Sequence, residues 1–288
     1  MFSNLAALPA NYHIALAGIF GLLIGSFLNV VVYRYPLILK YQWSKQSFEW
    51  LNDKEYQEPE PDGIMRPASR CGNCGTAVRA WQNIPVISYL LLRGKCASCK
   101  QSIALRYPLV EILTGLLSAL VMHHFGWGMQ AAAGIILTWA LVALSFIDFD
   151  HQLLPDEIVL PLVWLGLALS LVPVFAMPVD AIIGAMAGYL SLWLVFHLFK
   201  IATGKEGMGY GDFKLLAFLG AWFGWQLLPQ IILVSTVLGS IAGLSLMLTG
   251  KLNREKPMPF GPYIALAGWC AMLWGNEINA MYLRSAGL

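Results

Sequence analysis

The sequence predicts an all-α polytopic membrane protein with about eight transmembrane helices and one sizeable soluble loop after the first helix. Hydrophobic residues make up 58% of the 288 residues and charged residues only 12%, whereas soluble domains carry about 25% charged residues. The apolar residues fall in runs of about twenty, the length of helix that crosses the hydrocarbon core of a bilayer. A transmembrane barrel would show shorter, alternating segments. The net charge of +2 gives no indication of a nucleic-acid partner, and membrane lipid is the expected surrounding.

Eight apolar runs are predicted to be membrane spans. No Lys or Arg precedes the first run, which is longer than the apolar core of a signal peptide, so we expect it to be retained as a helix. The stretch 213–249 is too long for one span and short for two, and we expect a turn at 226–230 to divide it. The predicted spans are 13–33, 107–125, 129–147, 157–176, 180–199, 213–226, 227–249 and 260–280.

The positions of the basic residues predict the orientation of the spans, because Lys and Arg concentrate in cytoplasmic loops. Eleven of the eighteen lie in the loop 34–106, and all of the others except Arg284 fall in connections on the same side. We therefore expect this loop to be cytoplasmic and both termini to be periplasmic. The chain then divides into a first helix (1–33), a cytoplasmic loop (34–106) and a membrane domain (107–288).

The cytoplasmic loop contains two C-x-x-C pairs, formed by Cys71 with Cys74 and by Cys96 with Cys99. Two such pairs can supply four thiolates to one tetrahedral ion, and a structural zinc site is the expected function. Disulfides are disfavoured in the cytoplasm. A redox-active C-x-x-C remains the alternative, while a catalytic zinc is not expected, because four thiolates leave no open position for water.

Two clusters of ionisable residues lie at predicted membrane edges. The first, 147–156, follows the third span and contains Asp148, Asp150 and Asp156, and the second, 207–214, leads into the sixth span and contains Asp212. Ionisable groups near hydrocarbon are costly and tend to be functional. Two carboxylates at the same depth could meet across a helix bundle and share one proton, which is the arrangement of an aspartic peptidase.

Other interpretations of these residues stay open at this point. Asp156 could cap the fourth span, Asp150 and His151 could be solvated loop residues, and the glycines before Asp212 could form only a flexible turn. A different class of protein is also possible, namely an ion-coupled transporter whose aspartates bind cations and whose zinc loop is regulatory. Transport sites tend to lie near the middle of the membrane, whereas these aspartates are predicted at its edge.

Small and charged residues inside the spans predict helix contacts. Gly184 and Gly188 are four residues apart, and so are Gly239 and Gly243, a spacing that allows helices to approach closely. Glu111 lies about one turn inside the second span, where an ion pair with a neighbouring basic residue or a contact that reaches the interface is expected.

Four long motifs resemble the bifunctional prepilin leader peptidase/N-methyltransferase family. They are the N-terminal string 25–34, the strings 81–89 and 105–111 around the cysteines, and Gly-x-Gly-Asp at 209–212. The last motif is similar to the active-site motif of GxGD aspartic proteases. The resemblance extends over nearly the whole chain, and the charged segment 38–65 is its least similar part.

The resemblance implies residue roles and substrates. The first aspartate of the family stands six residues before an apolar residue followed by proline, which corresponds to Asp148 before Leu154 and Pro155. Asp148 and Asp212 are then the catalytic pair, and Asp150 is auxiliary. The implied substrates are type IV prepilins and secretion pseudopilins, cut at the cytoplasmic face of the bacterial inner membrane. The family then methylates the new N-terminus with S-adenosylmethionine.

Overall fold

The structure is a computed structural model that describes residues 8–249 and 258–285, and these residues contain α-helices and no β-strand. They divide at residue 131 into two compact units. The α-helices are α1 (Ala10–Asn52), α2 (Ile87–Leu91), α3 (Arg106–Phe125), α4 (Met129–His151), α5 (Asp156–Ser170), α6 (Pro178–Thr203), α7 (Tyr210–Phe223), α8 (Leu228–Leu248) and α9 (Gly261–Ser285). Short 3₁₀ turns occupy Ala80–Asn83 and Trp225–Leu227.

Each predicted span coincides with a helix. Among the described residues, five helical stretches are long and apolar enough to cross a bilayer: α1, α3, α4, α6 and Trp225–Leu248. The chain is therefore a helical membrane protein. Helices α5 and α7 have only 15 and 14 residues, so the crossing of all eight predicted spans stays a prediction.

Three predicted boundaries differ from the structure. The fourth span is predicted to end at residue 176, but α5 ends at Ser170. The first helix does not end at residue 33 but continues to Asn52, even though Pro36 lies inside it. Good helix formers follow Pro36, and the helix ends only where Asp53 adopts a left-handed conformation with φ 50°. The turn expected at 226–230 lies slightly earlier, because Gly224 adopts φ 80° and ends α7 at Phe223.

Small residues bring α1 and α3 together in the first unit. A Cβ atom added to Gly21 would lie 2.6 Å from Ser118 Oγ, and one added to Gly25 would lie 2.7 Å from the Cα atom of Glu111. Such distances leave no space for a side chain at either glycine. The backbones of the two helices are therefore in direct contact, as small residues permit in membrane proteins.

The C-terminal half of α1 and the segment that follows it form a hairpin, which we call the arm (residues 34–67). After Asn52 the chain turns and runs back along the helix: the rings of Phe48 and Tyr56 pack 5.5 Å apart, and Tyr41 Oη donates a hydrogen bond to the Glu58 carbonyl at 3.3 Å. At the base of the arm, Arg34 Nη1 donates to the carbonyls of Gly63 (2.7 Å) and Pro67 (2.8 Å). The segment 38–65 thus begins and ends beside the same arginine.

Helix α7 is the centre of the second unit. It is buried from Asp212 to its end at Phe223 except for Lys214, which is half-buried, as expected for a helix that is apolar on all sides. It packs against α5, α6, α8 and α9. Where α6 crosses it, Gly184 lies directly against Gly220, and a Cβ atom on Gly188 would lie 2.6 Å from the Leu216 carbonyl oxygen. The predicted close approach at Gly184 and Gly188 is confirmed.

The second predicted glycine pair makes a looser contact. A Cβ atom on Gly239 would lie 3.2 Å from the ring of Phe260, and one on Gly243 would lie 3.6 Å from Met258. These neighbours are side chains rather than the backbone of another helix. The pair therefore accommodates bulky side chains from the segment before α9 and from the first turn of α9, without direct contact between helix backbones at these distances.

A polar contact inside the second unit connects α4 to α9. Trp269 Nε1 donates a hydrogen bond of 3.0 Å to Thr138 Oγ1, and both residues are buried. A buried polar group is stable only when it has such a partner. The contact fixes the middle of the two helices relative to each other, so that the last turn of α4 lies near the first residue of α9.

Candidate active site and metal site

The four cysteines of the loop converge on one point. The Sγ atoms of Cys71, Cys74, Cys96 and Cys99 all lie within 4.8 Å of one another, and none of these residues forms a disulfide. The Sγ atoms of Cys71 and Cys99 are 3.8 Å apart. Four thiolates around a tetrahedral zinc ion, each at about 2.3 Å, lie about 3.8 Å from one another. The donor set and its spacing therefore fit one tetrahedral ion.

Each cysteine pair is carried by the same kind of turn. In the first turn, Cys71 N donates to the Thr76 carbonyl at 2.9 Å, and Gly75 adopts φ 68°. In the second, Cys96 N donates to the Gln101 carbonyl at 2.8 Å, and Lys100 adopts φ 59°. An antiparallel bridge closes both turns. The structure therefore repeats one local turn at both C-x-x-C pairs.

The thiol of Cys74 is poised to ionise. Its Sγ atom lies 3.2 Å from Thr76 Oγ1, and hydrogen bonding to the Thr76 side chain and backbone lowers the pKa of Cys74 to about 6. Hydrogen bonds from the backbone of Cys99 and Ser98 also lower the pKa of Cys96. Because the thiolate is the form that binds metal, these contacts favour the metal-binding state.

Asp148 lies in the last turn of α4 and is buried, with 6% of its surface exposed. Its Oδ2 atom accepts a hydrogen bond of 3.0 Å from the backbone N–H of Gly261, the first residue of α9. Asp150, two residues later, is exposed. The structure therefore separates these two carboxyl groups by environment, and Asp148 is the one directed into the helix bundle.

Asp212 lies in the first turn of α7 and is also buried, with 7% of its surface exposed. Gly209 precedes the helix in an extended conformation, and a Cβ atom there would lie 3.9 Å from Asp212 Oδ2. Gly211 packs against Leu154, because a Cβ atom on it would lie 2.8 Å from the Leu154 Cβ atom. Close packing against Leu154 therefore leaves no space for a side chain at position 211.

The two aspartates come together, although 63 residues separate Asp212 from Asp148 in the sequence. Both carboxyl groups are buried, one in the last turn of α4 and the other in the first turn of α7. Leu154, six residues after Asp148, packs against Gly211, which directly precedes Asp212, and against Gly261, whose backbone N–H donates to Asp148. The structure thus brings together two buried carboxyl groups at the ends of two helices, which is the arrangement that the sequence predicted for an aspartic peptidase.

Asp156 has a partner that the sequence did not indicate. Both of its carboxylate oxygens lie 2.7 Å from Lys214 Nζ, and its side chain does not cap α5. Lys214 follows Asp212 by two residues on α7. The ion pair therefore connects the first residue of α5 to the helix turn that carries Asp212, and Asp156 contributes to the site through this contact.

The first unit also contains a buried carboxyl group. Glu111 on α3 is 8% exposed, and its Oε2 atom accepts a hydrogen bond of 2.8 Å from the backbone N–H of Val86. Nearby, Asn29 Nδ2 donates to the Tyr107 carbonyl at 3.1 Å. These contacts tie the segment before α2 and the start of α3 to the membrane helices. Glu111 thus holds the backbone of the cytoplasmic loop at Val86.

Comparison with known proteins agrees with this geometry. The model of the bacterial Peptidase A24 N-terminal domain matches residues 19–125, and that of the Type IV leader peptidase family matches residues 135–244. Proteins named prepilin leader peptidase/N-methyltransferase are 54% identical in Stutzerimonas stutzeri (94% of this chain, 93% of that protein), 54% in Pseudomonas aeruginosa (93% and 92%) and 53% in Pseudomonas putida (100% and 99%).

This chain belongs to the prepilin leader peptidase/N-methyltransferase family. The resemblance found in the sequence motifs is confirmed. The relatives are peptidases and methyltransferases by name, and nothing in them favours the transporter alternative. No solved structure matches the chain.

The two family models divide the candidate sites between them. The N-terminal model covers most of α1, the four cysteines and α3, whereas the leader peptidase model covers both Asp148 and Asp212. Gly261 follows the residues that either model matches. Sequence reasoning missed the contacts of Gly261 and Lys214, and the available signals were a Gly-Pro pair at the start of the last span and a lysine two residues after Asp212.

Proposed function

We propose that the protein removes the leader peptide from type IV prepilins with Asp148 and Asp212 as its catalytic pair, and then methylates the new N-terminal residue. The single observation that supports the catalytic assignment is the meeting of two buried carboxyl groups from the ends of α4 and α7. The names of relatives similar over nearly the entire chain support both activities. The related pseudopilins of secretion systems are proposed as further substrates.

The mechanism follows from two carboxyl groups that share one proton, because both cannot ionise at close range without a large cost. The ionised carboxylate takes a proton from water as the water oxygen attacks the scissile carbonyl carbon. The protonated carboxyl donates its proton to the carbonyl oxygen. The resulting tetrahedral intermediate collapses, the C–N bond breaks, and a proton passes to the leaving nitrogen, which becomes the new α-amino group.

We place the reaction at the cytoplasmic face of the bacterial inner membrane. Asp148 ends α4 and Asp212 begins α7, so both lie at helix ends. Seventeen of the eighteen Lys and Arg residues fall on the side that these ends share if all eight helices cross, and basic loops stay in the cytoplasm. Both termini are then periplasmic, and a prepilin presents its scissile bond where its apolar helix enters the membrane.

The first unit is proposed to support the methylation step. A structural zinc ion held by Cys71, Cys74, Cys96 and Cys99 would join the two cysteine turns and order the segment between the arm and α3. S-adenosylmethionine supplies the methyl group in this reaction. The contribution of this chain is to bind the newly formed amine close to the membrane, where cleavage releases it.

Substitution of the aspartates tests the peptidase assignment. Each of Asp148→Ala and Asp212→Ala should abolish leader removal from a co-expressed prepilin, because either change eliminates one half of the proton relay. Mass spectrometry of the pilin reports leader loss and N-methylation in one measurement. Asp150→Ala is the matched control, since its carboxyl group is exposed, and it should have a milder effect. Processing by either of the first two variants at normal abundance would overturn the assignment.

A further inference from the structure

The first turn of α9 directs a single backbone amide at the candidate active site. Pro262 has no N–H, and the N–H groups of Tyr263 and Ile264 donate to the Phe260 carbonyl at 3.1 and 3.3 Å. The N–H of Gly261 donates instead to Asp148 Oδ2 at 3.0 Å. Residues at the start of a helix have N–H groups without partners inside the helix, and here the Asp148 carboxylate satisfies one of them.

Gly261 also has no space for a side chain. A Cβ atom on it would lie 2.6 Å from Asp148 Oδ2 and 3.2 Å from Asp148 Cγ, with Leu154 Cδ1 at 3.3 Å. Its φ angle is not in the left-handed range that favours glycine. Alanine is therefore compatible with the backbone at this position, and the requirement for glycine comes from the volume that the carboxylate occupies.

We propose that Gly261 is a positioning residue for leader cleavage, which holds Asp148 Oδ2 through its amide and leaves the carboxylate the space it needs. The inference rests on the proposed catalytic role of Asp148. The amide fixes the position of Oδ2 and thereby the orientation of the whole carboxyl group. A hydrogen bond from a backbone amide also favours the charged form of a carboxyl group. Helix α9 thereby becomes a third component of the active site.

The kinetic test compares two alanine variants of the same helix. Gly261→Ala should lower kcat for leader cleavage about 100-fold, since a displacement of about 1 Å can have this effect, and it should leave KM nearly unchanged because the substrate-binding surface is not altered. The control is Gly275→Ala, whose new Cβ atom would meet the flexible end of Leu227, with Cδ1 at 2.9 Å, and would lie at an ordinary contact distance of 3.4 Å from Ala271 Cβ. A kcat for Gly261→Ala as high as that of the control would overturn the proposal.

A second measurement does not depend on activity. If the new methyl group collides with the Asp148 carboxylate, Gly261→Ala should lower the melting temperature of the purified protein by about 3 to 10 °C. The same change should have little effect in an Asp148→Ala background, where the carboxylate is absent. Equal destabilisation in both backgrounds, or low abundance of both proteins that carry Gly261→Ala, would show that the relevant contact is not with Asp148 and would overturn the proposal.

The two measurements also separate this inference from the proposed function. Leader cleavage by Asp148→Ala would reject the catalytic assignment, whatever the stability measurements show. If Asp148→Ala is inactive and the two positions are not coupled in stability, the catalytic assignment stands and the role of Gly261 is rejected.

Discussion

At the scale of single residues, the acidic side chains near the end of α4 differ in environment. Asp148 is buried and bonded to a backbone amide, Asp150 is exposed, and Asp156 pairs with Lys214. All three residues are aspartates, so the sequence alone does not distinguish them. Burial and hydrogen-bond partners, which depend on α7 and α9, decide which of them can share a proton with Asp212.

Lys214→Gln tests whether the ion pair with Asp156 supports catalysis. The pair is partly exposed, with 29% and 46% of the two side chains accessible, and such pairs contribute only about 0–1 kcal/mol to stability. We therefore expect little change in melting temperature. Leader cleavage should nevertheless fall about tenfold, because the pair orients the turn that carries Asp212 and small displacements of reacting groups are costly.

Lys200→Gln is the matched control for this change. It removes an ion pair of the same length, 2.7 Å to Glu206 Oε1, at the end of α6. Comparison of cleavage rates at equal membrane abundance distinguishes the two positions. Equal losses in both variants would indicate a general effect of charge, and the specific role of Lys214 would be wrong.

At the scale of helices, local sequence predicted the elements better than their ends. All eight apolar runs are helices, and they could be predicted because the length of an apolar run is read directly from the sequence. The end of α1 depends on contacts of the arm, which packs returning chain against residues 34–52. The Gly261–Asp148 hydrogen bond joins residues 113 positions apart. No local sequence pattern predicts such a contact. Only the structure shows that the start of α9 lies against the end of α4.

The paired cysteine turns make a prediction at this scale. Cys71→Ser removes one of four thiolates, so we expect the zinc content of the purified protein, measured by elemental analysis, to fall from about one ion per chain. N-methylation should decrease more than leader cleavage, because the cysteines and the aspartates belong to different compact units. Cys270→Ser, which changes a cysteine of α9 outside the cluster, should keep the metal. Equal loss of both activities in a folded Cys71→Ser protein would contradict the proposed division.

At the scale of the whole molecule, the two family models coincide with two compact units. The boundary at residue 131 falls between the matched stretches 19–125 and 135–244. The cysteine cluster belongs to the first unit, and both candidate catalytic aspartates belong to the second. A protein that cleaves and then methylates one substrate can therefore have each activity supported by its own helices.

The orientation of the whole chain is tested by reporter fusions. Alkaline phosphatase, which is active only in the periplasm, should be active when fused after Ser285 and inactive when inserted in the connection 204–207. The reason is the concentration of Lys and Arg on one side of the predicted membrane. A green fluorescent protein fusion, which is fluorescent in the cytoplasm, should give the reverse result. Phosphatase activity at 204–207 would place the aspartates on the wrong side for the proposed reaction.

The arm has a consequence for engineering. Helix α1 has 43 residues and is about 65 Å long at about 1.5 Å per residue, about twice the thickness of the hydrocarbon core. Because Arg34 holds the returning chain at Gly63 and Pro67, residues beyond it can change in number without moving the ends of the segment. Lengthening such a loop costs only about 0.6 kcal/mol per doubling.

The tip of the arm is therefore a permissive insertion point. An affinity tag placed after Asp53 should leave zinc content and leader cleavage unchanged, whereas the same tag placed after Gly75, inside the first cysteine turn, should reduce zinc content. Loss of metal from the Asp53 insertion would mean that the arm supports the cysteine cluster. With metal retained, the protein offers a handle for purification or immobilisation that is anchored next to the membrane and independent of its catalytic helices.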